Sequence, residues 1–446
     1  MARILFVTSR LPYPPLEGHQ LRAWHLLRAA ASVHQVSLLS LQRPDDPTLP
    51  AAELTDLLAG LQRVALPDLR RPGPLLALGM GRILTRRPLL DLRYRTHALQ
   101  QQFDHMVAKA DLVHLDILAV AGLLYRTPTS VPVVLNEHNV ESVLARKRID
   151  IERNPFRRLM LRAANLGLEQ FELEACARSQ QVLTCSEDDA VRLRNLVPEC
   201  RVSIIPNGVD LEFFRPGVYE EERPESMVFV GHMNWFPNRD GIMYLMSEIL
   251  PLLADRPGLS LEVIGRNQML SVPESLSDRV SFTGFVDDLR PLVQQAAVFV
   301  VPLRAGSGTR LKILEAMAMG KAIVSTRVGA EGIGLVDGRH VLLADTPDEF
   351  AGAVRRLLDN PGLRQSLGRQ ARGLVEQCYG WTAIGQRLLS TYDDLLQEQS
   401  AGGRSDLPGA RESKAGAGQA EVMYQFRSRR LDQIPGQGKP MGGSND

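Results

Sequence analysis

The segment of this 446-residue chain best equipped for chemistry is Pro302-Leu-Arg-Ala-Gly306-Ser307-Gly308-Thr309-Arg310-Leu-Lys312-Ile-Leu-Glu315-Ala-Met-Ala-Met-Gly320. It follows the apolar run Val298–Val301, so it reads as a strand leading through a Gly/Ser/Thr loop into a helix. The unbonded N–H groups that open such a helix, together with its dipole, suit a diphosphate. Gly306 and Gly308 let the backbone come close to an anion. Ser307 and Thr309 can cap the helix or donate to phosphate. Lys312 and Glu315 stand three residues apart and share one helix face. On a nucleotide, Lys312 would neutralise phosphate while Glu315 accepts from ribose hydroxyls. The plainer alternative is a capped helix with a surface Lys–Glu pair. The loop is not a Walker A sequence, because no Lys-[Ser/Thr] pair follows the second glycine, and no G-x-G-x-x-G follows the first strand.

The elements that must carry this loop are legible as alternating short apolar runs and helical patterns. Ile4–Val7, Val36–Leu39, Leu112–Leu115, Val131–Leu135, Gln181–Cys185 and Val202–Ile205 read as strands, and 21–31 reads as a helix. The runs are continuous rather than alternating, as in parallel strands covered on both faces. Turn chemistry at Pro206-Asn-Gly-Val-Asp210 and an acidic stretch at 220–225 interrupt the series. A second series follows with Met227–Val230, Leu261–Ile264, Val280–Phe282, Val298–Val301 and Ala322–Ser325. The expectation is an α/β protein of two Rossmann-like domains, residues 1–205 and 206–380. A last helix is expected over 381–398, and the Gly-, Ser- and Pro-rich tail 399–446 is expected to be disordered.

Composition narrows the remaining classes. Lys and Arg number 52 against 51 Asp and Glu, a net charge of +1 that argues against wholesale nucleic-acid binding. The four cysteines, Cys176, Cys185, Cys200 and Cys378, form no C-x-x-C pair and suit reduced thiols in the cytoplasm. The run Ile4–Val7 is shorter than the roughly 7–15 apolar residues of a secretory leader and reads as a strand. The expectation is a soluble protein, at most bound to a membrane surface, since no run approaches the roughly 18 apolar residues of a spanning helix. No metal site is expected from the residue spacing.

Several motifs in order carry a resemblance. They are Leu11-Pro-Tyr-Pro-Pro-Leu-Glu-Gly18-His-Gln-Leu-Arg22, then Asn136-Glu-His138-Asn-Val-Glu-Ser142, Ser186-Glu187, Ile205-Pro-Asn-Gly-Val-Asp210, Phe229-Val-Gly231, and Gly308 through Gly320 with its Glu-Ala-Met-Ala-x-Gly core. Over about residues 1–398 the sequence resembles the retaining glycosyltransferases of family 4, which have the GT-B fold of two facing Rossmann-like domains. Within them it is most similar to bacterial sugar transferases of exopolysaccharide and surface-glycan assembly, sharing Pro-Tyr-Pro-Pro, the Gly231-to-Asp240 segment and Gly-Ser-Gly-Thr-Arg-Leu-Lys.

The resemblance implies that the last helix, 381–398, packs back on the first domain, and it implies roles. Glu315 matches the second Glu of the family's donor-binding pair, which holds the ribose. Ser307 stands where the first Glu contacts the transferred sugar. The family's phosphate-binding Arg and Lys have no counterpart before Arg239, so Arg310 and Lys312 stand in for them. Gly18 matches a glycine facing the diphosphate from the first domain, and His138 a histidine near the transferred sugar; a structural histidine bonded to a carbonyl is the alternative. Gly231 opens the donor domain. Arg266 and Val286, with Phe285, are wall positions for ribose or base. The implied chemistry is hexosyl transfer from a nucleotide-diphospho-sugar without a cofactor or metal, the departing diphosphate helping to deprotonate the acceptor. A glycan or lipid-linked sugar is the implied acceptor, and no nucleic acid is expected.

The first domain carries two clusters in which arginines alternate with apolar residues, around 70–95 and 146–162. They suit an anionic membrane surface, the expected place being the inner face of the plasma membrane; the alternative is solvated helix faces. Two other functions stay open: a catalytically silent sugar-nucleotide binder that assists assembly, and a GT-B epimerase, for which no acid–base pair is evident.

Overall fold

A computed structural model describes residues 1–401 apart from 16–17, 44–45, 47–50, 86, 128, 153, 218–221, 268–269 and 307–308. Ser307, Gly308 and the tail from 402 onward therefore lie outside the described residues.

The first strand series forms β1 (Arg3–Thr8), β2 (Gln35–Gln42), β3 (Gly60–Ala65), β4 (Leu112–Leu115), β5 (Val133–Glu137), β6 (Gln181–Thr184) and β7 (Val202–Ile204). They make one parallel sheet in the order β3-β2-β1-β4-β5-β6-β7. Register is set along β1, where Ile4 lies opposite both Val36 and Leu112. The second series forms β8 (Arg223–Val230), β9 (Ser260–Ile264), β10 (Val280–Gly284), β11 (Ala296–Val301), β12 (Ile323–Ser325) and β13 (Leu342–Leu343). This sheet is also parallel, in the order β10-β9-β8-β11-β12-β13. The central strands are the continuous apolar runs: β4 and β11 are buried at every position, which requires helices on both faces. β3, an edge strand of sequence GLQRVA, is half exposed and has no such run, so the apolar reading passes over it. β13 is two residues long and carries no pattern at all.

In doubly wound sheets, ligands bind beyond the carboxyl ends of the strands where the strand order reverses. Here the reversals fall between β1 and β4, and between β8 and β11. The loops after β1, β8 and β11 hold three of the motifs that the sequence singles out, at Gly18, Gly231 and Gly306–Glu315.

The final helix, Trp381–Ala401, runs three residues further than the sequence suggests. Its Ile384, Leu388, Tyr392 and Leu395 share a core with Ile4, Phe6, Leu26 and Leu38 of the first domain. The Tyr392 hydroxyl meets Nδ1 of the buried His114 at 2.7 Å. At Gly385 a Cβ would lie 2.8 Å from that of Ala29, so glycine permits the close helix crossing. The chain thus returns to the first domain, and the linker at Val209 bonds back to Tyr379 at 2.9 Å. Among the described residues, no helix is long and apolar enough to cross a membrane.

Candidate functional site

The loop after β11 leads into the helix Leu311–Ala318, as the residue types require. Lys312 projects from the first turn of this helix and Glu315 from the next, both half-buried. Lys312 Nζ donates to Asn238 Oδ1 at 2.6 Å and lies 4.1 Å from the Phe229 ring centroid. A Cβ on Gly231 would fall 2.8 Å from the same Nζ, so glycine at the end of β8 makes room for the ammonium. Lys312 is thus aimed inward at the strand-end loops instead of forming the surface pair with Glu315. Burial pulls the Lys312 ammonium down to about 7, with Arg310 pushing the same way and Glu315 opposing. Burial pushes the Glu315 carboxyl up to about 7, with Lys312 opposing. Two neighbouring groups of opposite sign are therefore both held at the edge of their charged forms, a pattern that gathers at functional sites. A bound diphosphate would restore the lysine charge, and ribose hydroxyls would satisfy the carboxylate.

Arg310 occupies a different place from the one expected of a phosphate ligand. It is 4% exposed, and its Nη2 donates to the Val328 carbonyl at 3.3 Å. Its guanidinium packs against the backbone of Gly306, whose φ of +147° and missing Cβ allow a contact that any side chain would block. Burial lowers its pKa to about 10, against Glu331 and Asp189. Arg310 is thus a buried cation held at the start of the helix. Thr309 is also reassigned: its hydroxyl donates to the Cys185 carbonyl of the first domain at 3.0 Å, while Asn207 donates to its carbonyl at 3.3 Å. It ties the domains together with a hydroxyl for which the sequence leaves helix capping or donation to phosphate open.

Gly18 opens the first helix, Gly18–Ala31, and a Cβ there would lie 3.0 Å from Leu311 Cδ1. The N-termini of the helices that follow β1 and β11 therefore approach each other across the domain boundary. Next to them, His138 follows β5. Its Nε2 is 3.4 Å from Oδ1 of Asp116, which follows β4. Asp116 is buried, yet its carboxyl is held well below the usual range: burial opposes this, and His138 and His114 outweigh it. Asn136 donates to Asp116 at 3.0 Å and accepts from Arg22 Nη2 at 2.9 Å. Arg22, 1% exposed, also donates to the Pro206 carbonyl at 3.0 Å and to Asn207 at 3.1 Å. Hence His138 is oriented by a carboxylate, and the network behind it ends at the interdomain linker. Asp116, Asn136, Arg22 and Asn207 were not singled out from the sequence. Their one shared signal is placement at strand ends or inside the quoted motifs.

The remaining wall is at β9 and β10. The Arg266 guanidinium lies 5.0 Å from the Phe285 ring centroid, and Val286 packs on the second-domain core. Met233 donates to the Arg266 carbonyl at 3.0 Å, and Gly231 to that of Ile264 at 2.8 Å, so this wall is joined to the Lys312 pocket.

A clasp closes the domains on one side. Lys147 Nζ, on the helix Glu141–Ile151, donates to the Gly306 carbonyl at 2.9 Å and to Glu331 at 3.1 Å. Arg192 donates to the other Glu331 oxygen at 2.7 Å. Charge-assisted hydrogen bonds contribute about 1.5–3 kcal/mol each. Glu331→Gln is therefore expected to loosen closure. Small-angle scattering should give a larger radius of gyration for the variant than for the wild type at low salt, and equal values at high salt.

The family model described as Glycosyltransferase Family 4 matches residues 17–213, and that described as Glycosyl transferases group 1 matches residues 224–360. The D-inositol 3-phosphate glycosyltransferase of Acidothermus cellulolyticus is 28% identical over 260 residues, 51% of this chain and 56% of that protein. The phosphatidyl-myo-inositol mannosyltransferase of Mycolicibacterium smegmatis is 26% identical over 226 residues, 48% of this chain and 57% of that one. The matched stretch thus spans little more than half the length of these curated relatives. Among solved structures, the sucrose-phosphate synthase from Thermosynechococcus elongatus superposes with a TM-score of 0.64 at 19% identity, covering 89% of this chain and 100% of that one. Anabaena HepE, solved with UDP and glucose, superposes with a TM-score of 0.57 at 14% identity, covering 88% of this chain and 100% of that one. At these identities the superpositions speak to the fold.

Proposed function

Because this chain belongs to the family 4 glycosyltransferases and has the GT-B fold, we propose that it moves a sugar from a nucleotide-diphospho-sugar, with retention, to a glycan or lipid-linked acceptor in surface-polysaccharide assembly. The observation that carries this reading is the Lys312–Glu315 pair, set at the strand-order reversal of the second sheet with both groups brought to about 7. The diphosphate would lie between the helix that starts at Leu311 and the one that starts at Gly18. There Lys312 and the amides of both helix starts would stabilise the departing charge, with the buried Arg310 adding to it. Glu315 would hold the ribose, and the Arg266–Phe285 wall would flank it. The bond from the anomeric carbon to the diphosphate breaks, the acceptor oxygen bonds to the same face, and its proton passes to the departing diphosphate. The cleft then mainly positions both substrates. His138, steadied by Asp116, would contact the transferred sugar. No metal and no cofactor enter the proposal. The Mycolicibacterium relative is named for mannosyl transfer to phosphatidyl-myo-inositol; that name and the arginine clusters of the first domain support placing the acceptor at the inner face of the plasma membrane.

A second reading, a silent sugar-nucleotide binder, is favoured by Ser307 standing in place of the family's first Glu. The two are separated by incubating the protein with a panel of nucleotide sugars and measuring released nucleoside diphosphate. Transfer or slow hydrolysis of one donor, reduced at least tenfold in Glu315→Ala, supports the enzyme. Binding without any release over that background supports the silent binder.

A further inference from the structure

The helices Pro72–Thr85 and Pro155–Asn165 have no buried residue between them, although both are rich in large apolar side chains. Leu76, Ile83 and Leu84 are 73%, 76% and 76% exposed, and Phe156, Leu159 and Met160 are 70%, 62% and 57% exposed. On each helix these positions recur at helical spacing, so each presents an apolar stripe outward. The helices are neighbours: Arg82 Nη2 on the first donates to the Ala163 carbonyl on the second at 3.2 Å. A Cβ added to Gly73 or Gly79 would meet nothing within 4 Å, so none of the described residues covers the first helix there. Contiguous exposed apolar surface of this kind marks an interaction site.

The charge around the stripes selects the partner. Residues 69–90 hold five arginines and residues 153–168 four, with no Asp or Glu in either stretch. Asp68 and Asp91 at the margins pair with Arg70, Arg71 and Arg87, but arginine still outnumbers the acidic residues around the stripes. Such a surface is complementary to a bilayer bearing anionic headgroups, with the aliphatic and aromatic groups in the acyl boundary and the guanidinium groups among the phosphates. The chain's own tail, 402–446, holds seven basic and five acidic residues and offers no such complement.

We propose that these two helices form a membrane-insertion face whose partner is an anionic phospholipid bilayer, and that the acceptor reaches the cleft from that bilayer. The second half rests on the sugar-transfer reading above. The connection is the helix Glu141–Ile151, which touches the donor loop through Lys147 and the second domain through Arg148, 5.8 Å from the Phe236 ring centroid. Only residues 152–154 separate it from Pro155, where the insertion face begins. An acceptor anchored in the same leaflet would therefore need little displacement to enter the cleft.

Vesicle flotation of the full chain tests the proposal, using phosphatidylcholine alone or mixed with phosphatidylglycerol. The wild type should float with the mixed vesicles and not with the neutral ones. The double variants Leu76→Ser/Ile83→Ser and Phe156→Ser/Leu159→Ser should bind at least tenfold more weakly with unchanged melting temperature, since each replaced side chain is exposed. Arg157→Glu/Arg158→Glu should do the same and remove the salt dependence. Equal flotation of wild type and variants, or none by the wild type, would overturn the proposal. So would a concentration-dependent dimer that the same variants abolish, because the face would then belong to a second copy. Thermal stabilisation by nucleoside diphosphates is measured in parallel. If it is absent while flotation behaves as stated, the insertion face stands and the sugar-transfer reading fails.

Discussion

Replacing Lys312 with alanine is expected to lower kcat/KM by about 10²–10³-fold, the scale on which removal of one preorganised group at a developing oxyanion acts. The side chain is not free to be replaced by solvent: it is fixed by Asn238, by the face of Phe229 and by the bare α-carbon of Gly231. The same geometry predicts a pH dependence. Lys312 must be protonated to offset the diphosphate, and in the free protein that charge is lost as pH rises through about 7. Glu315 must be ionised to accept fully from ribose, and that charge is lost as pH falls through about 7. Donor affinity should therefore peak near pH 7 and decline on both sides. The alkaline limb should vanish in Lys312→Arg and the acid limb in Glu315→Gln, as followed by calorimetric titration across pH 5.5–9. Binding above pH 7 should also take up protons, visible as a heat that changes with the ionisation enthalpy of the buffer. A flat profile in the wild type would remove Lys312 and Glu315 from the donor site.

Arg22→Ala is expected to have the largest effect on stability. The guanidinium is 1% exposed and joins Asn136, Asn207 and the Pro206 carbonyl, so it ties the first helix to β5 and to the linker. Truncation leaves these buried acceptors without donors, at about 1–3 kcal/mol for each group that no water reaches. A net loss of about 3 kcal/mol corresponds to a fall in Tm of about 6–12 °C for a domain of this size. Arg22→Lys keeps a charge but cannot span the fork, and should recover less than half of the loss. Differential scanning calorimetry decides it: a Tm unchanged in Arg22→Ala would show that the buried network does not hold the domains. Arg22 also lies behind Asn136 and Asp116, so residual activity in Arg22→Lys should fall more in kcat than in KM.

What was legible in the sequence follows the range of the interactions. The central strands announced themselves because burial on both faces demands unbroken apolar runs, as in β11; two such series implied two α/β domains, and the GT-B arrangement came with the family resemblance. β3 did not, because an edge strand needs no such run. Lys312 and Glu315 were legible because their spacing alone puts them on one helix face. Thr309 and Arg310 sit in the same motif, yet their side chains are claimed by partners that no local pattern predicts: Thr309 by Cys185, and Arg310 by Val328 and the bare backbone of Gly306. The partners that steady His138, namely Asp116, Asn136 and Arg22, were hidden for the same reason. Arg22 lies in the helix after β1, Asp116 follows β4, and Asn136 and His138 stand at the end of β5, so it is the sheet order β1-β4-β5 that brings them together.

On the proposed reading, the donor diphosphate sits where the helix starting at Leu311 meets the one starting at Gly18. Isothermal titration of UDP, GDP and their sugar conjugates into the wild type, Lys312→Ala and Glu315→Ala tests it most directly. At least one of these nucleotides is expected to bind the wild type, and both variants to weaken it at least tenfold. Equal affinity in all three proteins would place the nucleotide elsewhere and contradict it.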